Sequence, residues 1–260
     1  MSFLQIYLQA FLVIMALMSM LWIISVIIKN ASIVDIFWGF GFVAASVFYF
    51  LKTGDPNIRK ILIVTIVTIW GLRLSAYLAW RNLGKGEDFR YQNFRKKYGE
   101  KRYWWVSFFQ VFLLQGTLMW IISAPLLGAQ INSNVTQLNV LDYTGITVWI
   151  IGFMFEAGGD LQLALFKSDP SNKGKVLDKG FWRYTRHPNY FGDSAAWWGY
   201  GLICIAAGSY LPALGSVLMT ALIIKVSGVS MLEKSLKEQK PQYLEYIRKT
   251  SAFLPWFPKK

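Results

Sequence analysis

What most limits this chain is the spacing of its apolar runs: seven segments, 3–28, 32–51, 61–80, 104–127, 143–166, 190–207 and 211–232, are almost free of charge. Each approaches the roughly 20 residues with which a helix crosses about 30 Å of hydrocarbon. Their apolar character is continuous, with no alternation of period two, and an open sheet cannot satisfy its backbone groups in lipid. The predicted fold class is therefore all-α, a multi-pass membrane bundle of seven transmembrane helices. With 55% of the 260 positions hydrophobic and 16% charged, against about 25% charged in a soluble domain, a disordered chain and a soluble globule are both excluded. The first run lacks a positive n-region and is too long for a signal-peptide core, so a retained helix is expected. No internal repeat, low-complexity stretch or linker divides the chain. Residues 1–260 read as one membrane-embedded domain whose cofactor half is mainly 142–260.

Basic residues orient the spans. Arg81, Lys85, Arg90, Arg95, Lys96, Lys97, Lys101 and Arg102 fall in the link 81–103, Lys167, Lys173, Lys175, Lys179, Arg183 and Arg186 in the link 167–188, and the tail from 233 is also basic. The links 128–141 and 207–211 hold no Lys or Arg, and only Lys52, Arg59 and Lys60 dissent. By the positive-inside rule the C-terminus is cytoplasmic and the N-terminus outside, in an inner, cell or endoplasmic-reticulum membrane. The net charge of +13 raises the question of nucleic acid, but no basic domain large enough to grip a duplex is present, so no nucleic-acid partner is expected. The charge reads as topology plus an anionic small ligand; topology alone is the plainer alternative. Cys204, the single cysteine, lies in an apolar stretch without a second thiol or a histidine nearby, so neither a disulfide nor a metal site is expected.

Charges within the spans carry the most information, because each costs about 2.5–3.5 kcal/mol at mid-helix on insertion scales. Arg73 lies near the middle of the third span, Glu156 near the middle of the fifth and Asp160 one turn further on, while Asp35 and Asp193 open the second and sixth. Gly152, Glu156, Asp160 and Lys167, at spacings of four, four and seven, form one stripe of a helix that Gly158 and Gly159 make thin. Trp70, Arg73 and Tyr77 form a second stripe, at spacings of three and four. An ion pair of Arg73 with Glu156 that locks two helices is one reading; a ligand-filled cavity opening to the basic side is the other.

Pro188 favours an extended His187 and suits a first helical turn, so a helix is predicted to start there. Its free amides, with Arg183, Arg186 and His187 beside them, make an anion site. Asn189, Asp193 and Trp197 follow at intervals of four on one face. Gly39-Phe-Gly41-Phe-Val-Ala44 matches G-x-G-x-x-A but sits in an apolar helix without a preceding strand, so it is not a dinucleotide turn. Gly84-Lys-Gly86 and Gly174-Lys175 are not Walker loops. Asn134-Val-Thr136 is a glycosylation sequon on the outer face.

The run Arg-His-Pro-Asn-Tyr-Phe-Gly-Asp at 186–193, with Trp197-Trp198-Gly199, resembles the C-terminal signature of the steroid 5α-reductase and sterol reductase superfamily. Ser32-Ile-Val-Asp-Ile-Phe-Trp-Gly39, the Glu-Asp-x-Arg-Tyr run at 87–91 and Glu156-x-x-x-Asp160-x-Gln162 resemble its bacterial 5α-reductase-like branch. A similar Arg-His-Pro-x-Tyr element occurs in membrane isoprenylcysteine and phospholipid methyltransferases, which use S-adenosylmethionine. The reductase resemblance implies seven helices around NADPH and a flat lipid-like enone entering from the bilayer. It also implies a ketone polarised by a second-helix acid, here Asp35, and a third-helix tyrosine, whose position falls on Trp70 with Tyr77 two turns away.

The expected activity is NADPH-dependent hydride transfer to the C=C bond of a hydrophobic enone, 3-oxo-steroid-like or another lipid, by a monomer. Asp35 and Tyr77, supported by Arg73, are the expected catalytic groups, since enolate charge needs preorganised donors. Glu156, Asp160, Lys167, Arg183, Arg186, His187, Asn189, Tyr190, Asp193, Tyr246 and Arg248 are the expected NADPH contacts, and Glu233, Tyr243, Tyr246 and Arg248 are expected to close over the pocket. A membrane methyltransferase and a non-enzymatic lipid-binding scaffold are the rival readings.

Overall fold

A computed structural model describes residues 1–132, 137–227 and 242–259. The sequon, Glu233 and the end of the seventh apolar segment lie outside the described residues. All regular secondary structure among these residues is helical, with no strand among them. They fall into two compact units, 1–138 with 204–212, and 139–203 with 213–260.

The first unit opens with α1 (Phe3–Ile27), whose Ser2 side chain accepts the Gln5 amide while Gln5 caps the Ser2 amide in return. Helix α1 buries only the stripe Ile6, Ala10, Ile14, Met18, Leu21 and Ser25 and leaves Leu4, Leu8, Leu12, Ile23 and Ile27 exposed. An apolar surface of that extent is stable only against hydrocarbon. The short α2 (Ile33–Ile36) and α3 (Trp38–Lys52) follow, then α4 (Ile58–Asn82). A basic hairpin of α5 (Phe89–Tyr98) and α6 (Glu100–Ser107) leads through a π-helical turn at Phe108–Leu113 into α7 (Leu114–Ile122) and α8 (Ala124–Gly128).

Glycine decides how closely α3 and α4 approach. A Cβ on Gly39 would stand 2.3 Å from the Gly71 carbonyl oxygen, and one on Gly71 2.6 Å from that of Gly39. The G-x-G-x-x-A run is thus a helix-packing surface, as its apolar context predicts. Two of the three dissenting basic residues are buried as well: Arg59 is 4% exposed and Lys60 fully enclosed. The Lys60 ammonium donates to the carbonyls of Thr53 at 2.6 Å and Asp55 at 2.9 Å, closing the turn between α3 and α4.

The second unit holds α9 (Val140–Ser168), α10 (Pro188–Ala206, its last residues counted with the first unit), α11 (Leu214–Leu222) and α12 (Gln242–Lys249). Asn139 and Asp142 cap the start of α9 reciprocally.

Among the described residues, four helical stretches are long and apolar enough to cross a membrane: α1, α4, the run Glu100–Gly128 and α9. The chain is an all-helical membrane protein. The second predicted segment is not one helix, because the chain breaks at Phe37 and α3 has 15 residues. Of the last predicted segment, the described residues show an apolar helix over Leu211–Lys225. Helix α10 starts at Pro188, as Pro188 predicts, and has 19 residues, with Asn189, Asp193 and Ser194 in its first turns.

Candidate functional site

In the first unit, the acid at the start of the second apolar segment organises a polar cluster. Asp35 accepts Arg90 Nη2 on Oδ2 at 2.7 Å and the Tyr91 hydroxyl on Oδ1 at 2.7 Å. Gln115 Nε2 donates to Tyr91 Oη at 3.1 Å, so a span residue completes the array. Arg90 also donates through Nε to Asp88 at 2.9 Å. The neighbouring carboxylate, Glu87, takes both Arg95 Nε at 3.0 Å and Nη2 at 2.9 Å, and the Ala31 amide at 2.8 Å. Every charged or phenolic member of the 87–91 run therefore grips either the 29–35 segment or a partner that does.

Charge state follows from this geometry. Burial disfavours the Arg90 cation, but the Asp35 carboxylate and the bond to Asp88 outweigh it and hold the guanidinium above its ordinary range. Burial acts to raise Asp88, yet the hydrogen bonds from the Arg90 side chain and amide hold that carboxyl below its usual value. Burial, reinforced by the negative charge of Asp35, pushes the Tyr91 phenol well above its ordinary value. Tyr91 is thus a neutral donor across the physiological range.

Arg73 and Tyr77 lie one turn apart on α4. The Arg73 guanidinium stands 5.3 Å from the Tyr77 ring centroid and that of Arg81 5.5 Å from the same ring. Trp70 is fully buried, with Phe42 at 6.0 Å between ring centroids. The tyrosine that donates to Asp35 is Tyr91. Sequence spacing along α4 could not find it, and the Glu-Asp-x-Arg-Tyr run was its only signal.

In the second unit, the predicted stripe on α9 packs against α10. A Cβ on Gly192 would lie 2.3 Å from the Glu156 amide nitrogen, and one on Gly152 2.4 Å from that of Ala196, so the backbones touch where the two acids sit. Glu156 is 3% and Asp160 4% exposed. Asn189 Nδ2 donates to Asp160 Oδ1 at 3.1 Å, joining two predicted cofactor residues. The buried Tyr200 hydroxyl accepts Trp149 Nε1 at 2.9 Å and lies in the field of both Glu156 and Asp193. The His187 and Tyr190 rings stack at 5.7 Å. Ser194 Oγ is buried without a hydrogen-bond partner among the described residues.

The thin face of α9 seats the loop before α10. Gly158 leaves room for the Phe181 ring, the Phe181 amide donates to Gln162 Oε1 at 3.0 Å, and Trp182 Nε1 donates to the Gly159 carbonyl at 3.1 Å. The C-terminal segment then holds this loop from the other side. Arg186 is 7% exposed and donates through Nη1 to the carbonyls of Ile247, at 3.2 Å, and Thr250. Tyr246 donates to the Trp182 carbonyl, and Thr185 Oγ1 to that of Phe253 at 2.8 Å. Arg186 and Tyr246, predicted as ligand contacts, thus make a clamp between loop and tail. Lys167, Arg183 and Arg248 are exposed, and Tyr243 is buried at 3%.

A family model described as "Protein of unknown function (DUF1295)" matches residues 21–250. An uncharacterized protein of Schizosaccharomyces pombe is 24% identical over 262 residues, covering 91% of this chain and 76% of its own length. The Delta(14)-sterol reductase of Arabidopsis thaliana is 28% identical over 159 residues, which is 55% of this chain but 41% of the plant protein. No solved structure matches.

Proposed function

The chain belongs to the DUF1295 family, and from that premise we propose that it is a membrane-bound reductase that uses NADPH to saturate a C=C bond of a hydrophobic, enone-bearing lipid. The similarity to a sterol reductase supports the reaction class, and the four apolar spans support a substrate drawn from the bilayer. Seven spans with a cytoplasmic C-terminus, one functional domain and a monomer belong to the same proposal.

The observation that carries the reading is the polar stripe of α9: two acids, 3% and 4% exposed, with Asp160 tied to Asn189 in the first turn of α10. Burying acids in a spanning helix is costly unless a ligand or partner offsets it. The residues suit a dinucleotide. Ser194 Oγ is a buried polar atom without a hydrogen-bond partner among the described residues, Asp160, Asn189 and Glu156 offer acceptors and donors, and the exposed cations Lys167, Arg183 and Arg248 suit phosphates. His187, Tyr190 and Asp193 complete the proposed contacts. When bound, the cofactor supplies the hydride.

The chain supplies the proton and the field that receives the developing charge. Hydride addition to the β-carbon of an enone turns its carbonyl oxygen into an enolate, which a preorganised donor stabilises. Arg90 and Tyr91, a charged guanidinium beside a neutral phenol, form such a donor pair, and we assign them that role, with Asp35 as the acceptor that positions both. Tyr77 and Arg73 on α4 remain candidates for the same step. Proton delivery to the α-carbon then completes the addition of one hydride and one proton.

The test is NADPH binding by the purified protein, read from nicotinamide fluorescence, with Asp160→Ala and Asn189→Ala. Both should abolish binding while helical content and thermal stability persist. Undiminished binding in both variants would overturn the cofactor assignment, and binding of S-adenosylmethionine in place of NADPH would move the chain to the methyltransferase class.

A further inference from the structure

A cleft of about 500 Å³ lies in the first unit, between the end of α1 and the start of α6, lined by Ser25, Val26, Lys29, Arg95, Glu100, Lys101, Tyr103, Trp104 and their neighbours. Its volume is in the range of small-molecule sites, about 300–1,000 Å³. No residue of it takes part in the proposed reduction. We infer that this cleft binds the headgroup of a membrane glycerophospholipid, one that carries a hydrogen-bond donor beyond its phosphate.

Three observations point to a phosphate. Lys29 and Lys101 are exposed side chains on the lining, and neither ammonium has an ion pair or hydrogen bond among the described residues. Arg95 adds positive potential while fixed in place: Glu87 holds it at 2.9 Å, and its guanidinium stands 4.6 Å from the Tyr103 ring centroid. Tyr103 itself is 1% exposed, lines the cleft, and its hydroxyl is a buried donor with no partner among the described residues. A buried hydroxyl left without a partner is costly, and the cleft that Tyr103 lines also carries two exposed ammonium groups that an anion would engage.

The position of the cleft selects a lipid over free phosphate. On one side are the exposed apolar residues Val26, Ile27 and Ile28, and on the other exposed Trp104 and Trp105 follow Lys101. Apolar surface giving way to tryptophan and then to lysine marks the headgroup level of a bilayer. Trp22 Nε1 donates to the carbonyl of the lining residue Trp104 at 2.7 Å, which fixes α1 to α6 at the cleft.

Glu100 sets the headgroup. Its carboxylate lines the same cleft and repels a bare phosphate, so the favoured lipid has an ammonium or hydroxyl that Glu100 accepts, as phosphatidylethanolamine and phosphatidylglycerol do and phosphatidylcholine does not.

The experiment is native mass spectrometry of the delipidated full-length protein in detergent. It is titrated separately with phosphatidylglycerol, phosphatidylethanolamine, phosphatidylcholine and inorganic phosphate. One phosphatidylglycerol or phosphatidylethanolamine should bind at least tenfold more tightly than phosphatidylcholine. The double variant Lys29→Gln/Lys101→Gln should lose at least tenfold in affinity, and Tyr103→Phe at least threefold. Because both lysines are exposed, the double variant should keep its thermal stability and its NADPH affinity, which separates this site from the proposed cofactor site. Glu100→Gln should narrow the preference over phosphatidylcholine. Unchanged lipid binding in the double variant, equal binding of phosphatidylcholine, or displacement of the lipid by millimolar phosphate would each overturn the assignment.

Discussion

Tyr91 donates its hydroxyl to Asp35 at 2.7 Å although 56 positions separate them in the chain, and the same carboxylate holds Arg90. If this array receives enolate charge, Tyr91→Phe should lower kcat/KM for NADPH-dependent reduction of a lipid enone at least tenfold, about 1.4 kcal/mol of transition-state stabilisation. Asp35→Asn should lower it further, because the amide keeps one acceptor oxygen in place of two and carries no charge, so Arg90 and Tyr91 can no longer both be held. Single-turnover kinetics in detergent would check this; a rate that falls only with Tyr77→Phe would return the role to α4.

The Tyr91 phenol lies well above its ordinary value because of burial and then the Asp35 charge. A raised phenol contributes stability that is complete below the unfolded value near 10 and is lost as pH rises through the folded one. Activity that depends on the neutral phenol should therefore show no alkaline limb attributable to Tyr91 below about pH 10. A pH–rate profile of Tyr91→Phe against wild type measures it.

Asp88 behaves in the opposite direction. Burial acts to raise it, but the Arg90 hydrogen bonds prevail and its folded value is lowered, so its contribution is present above the ordinary carboxylate range and is lost as pH falls through the folded value. Protection of the 87–98 amides against hydrogen exchange should decline below about pH 4, and Asp88→Asn should be less protected at pH 7. The side chain is 34% exposed, so the difference should be small, under about 1 kcal/mol.

Gly192→Ala places a Cβ 2.3 Å from the Glu156 amide nitrogen, against backbone that cannot yield without moving α9 from α10. A cost of about 1–3 kcal/mol is expected, together with loss of NADPH binding. Gly41→Ala meets only the Met119 thioether, at 2.3 Å, and a flexible methionine can move aside. Thermal unfolding should rank Gly192→Ala well below Gly41→Ala.

Arg186→Ala removes the donors that hold the carbonyls of Ile247 and Thr250. Limited proteolysis should then cut the segment after residue 242 several-fold faster while the spans stay intact, and Arg186→Lys should restore only part of the protection because it lacks the guanidinium fork. Equal cleavage rates would mean that Arg186 does not clamp the tail.

The chain alone determined its solvent and its secondary-structure class. Long apolar runs dictate helices in lipid, Pro188 sets the start of α10, and the four-residue spacing of Gly152, Glu156 and Asp160 places them on one stripe, since all of these depend on local geometry. Tertiary structure decided what the polar groups do. Tyr91 meets Asp35 because a hairpin of α5 folds back on the 29–35 segment, a contact no periodicity encodes. Arg186, expected as a cofactor contact, donates to tail carbonyls more than 60 residues away. The second segment broke at Phe37, and the dissenting Lys60 found two carbonyls to cap. Hydropathy sums over neighbours in the chain, whereas an ion pair or a cap depends on which distant acceptor the packing of glycine-lined helices brings within 3 Å.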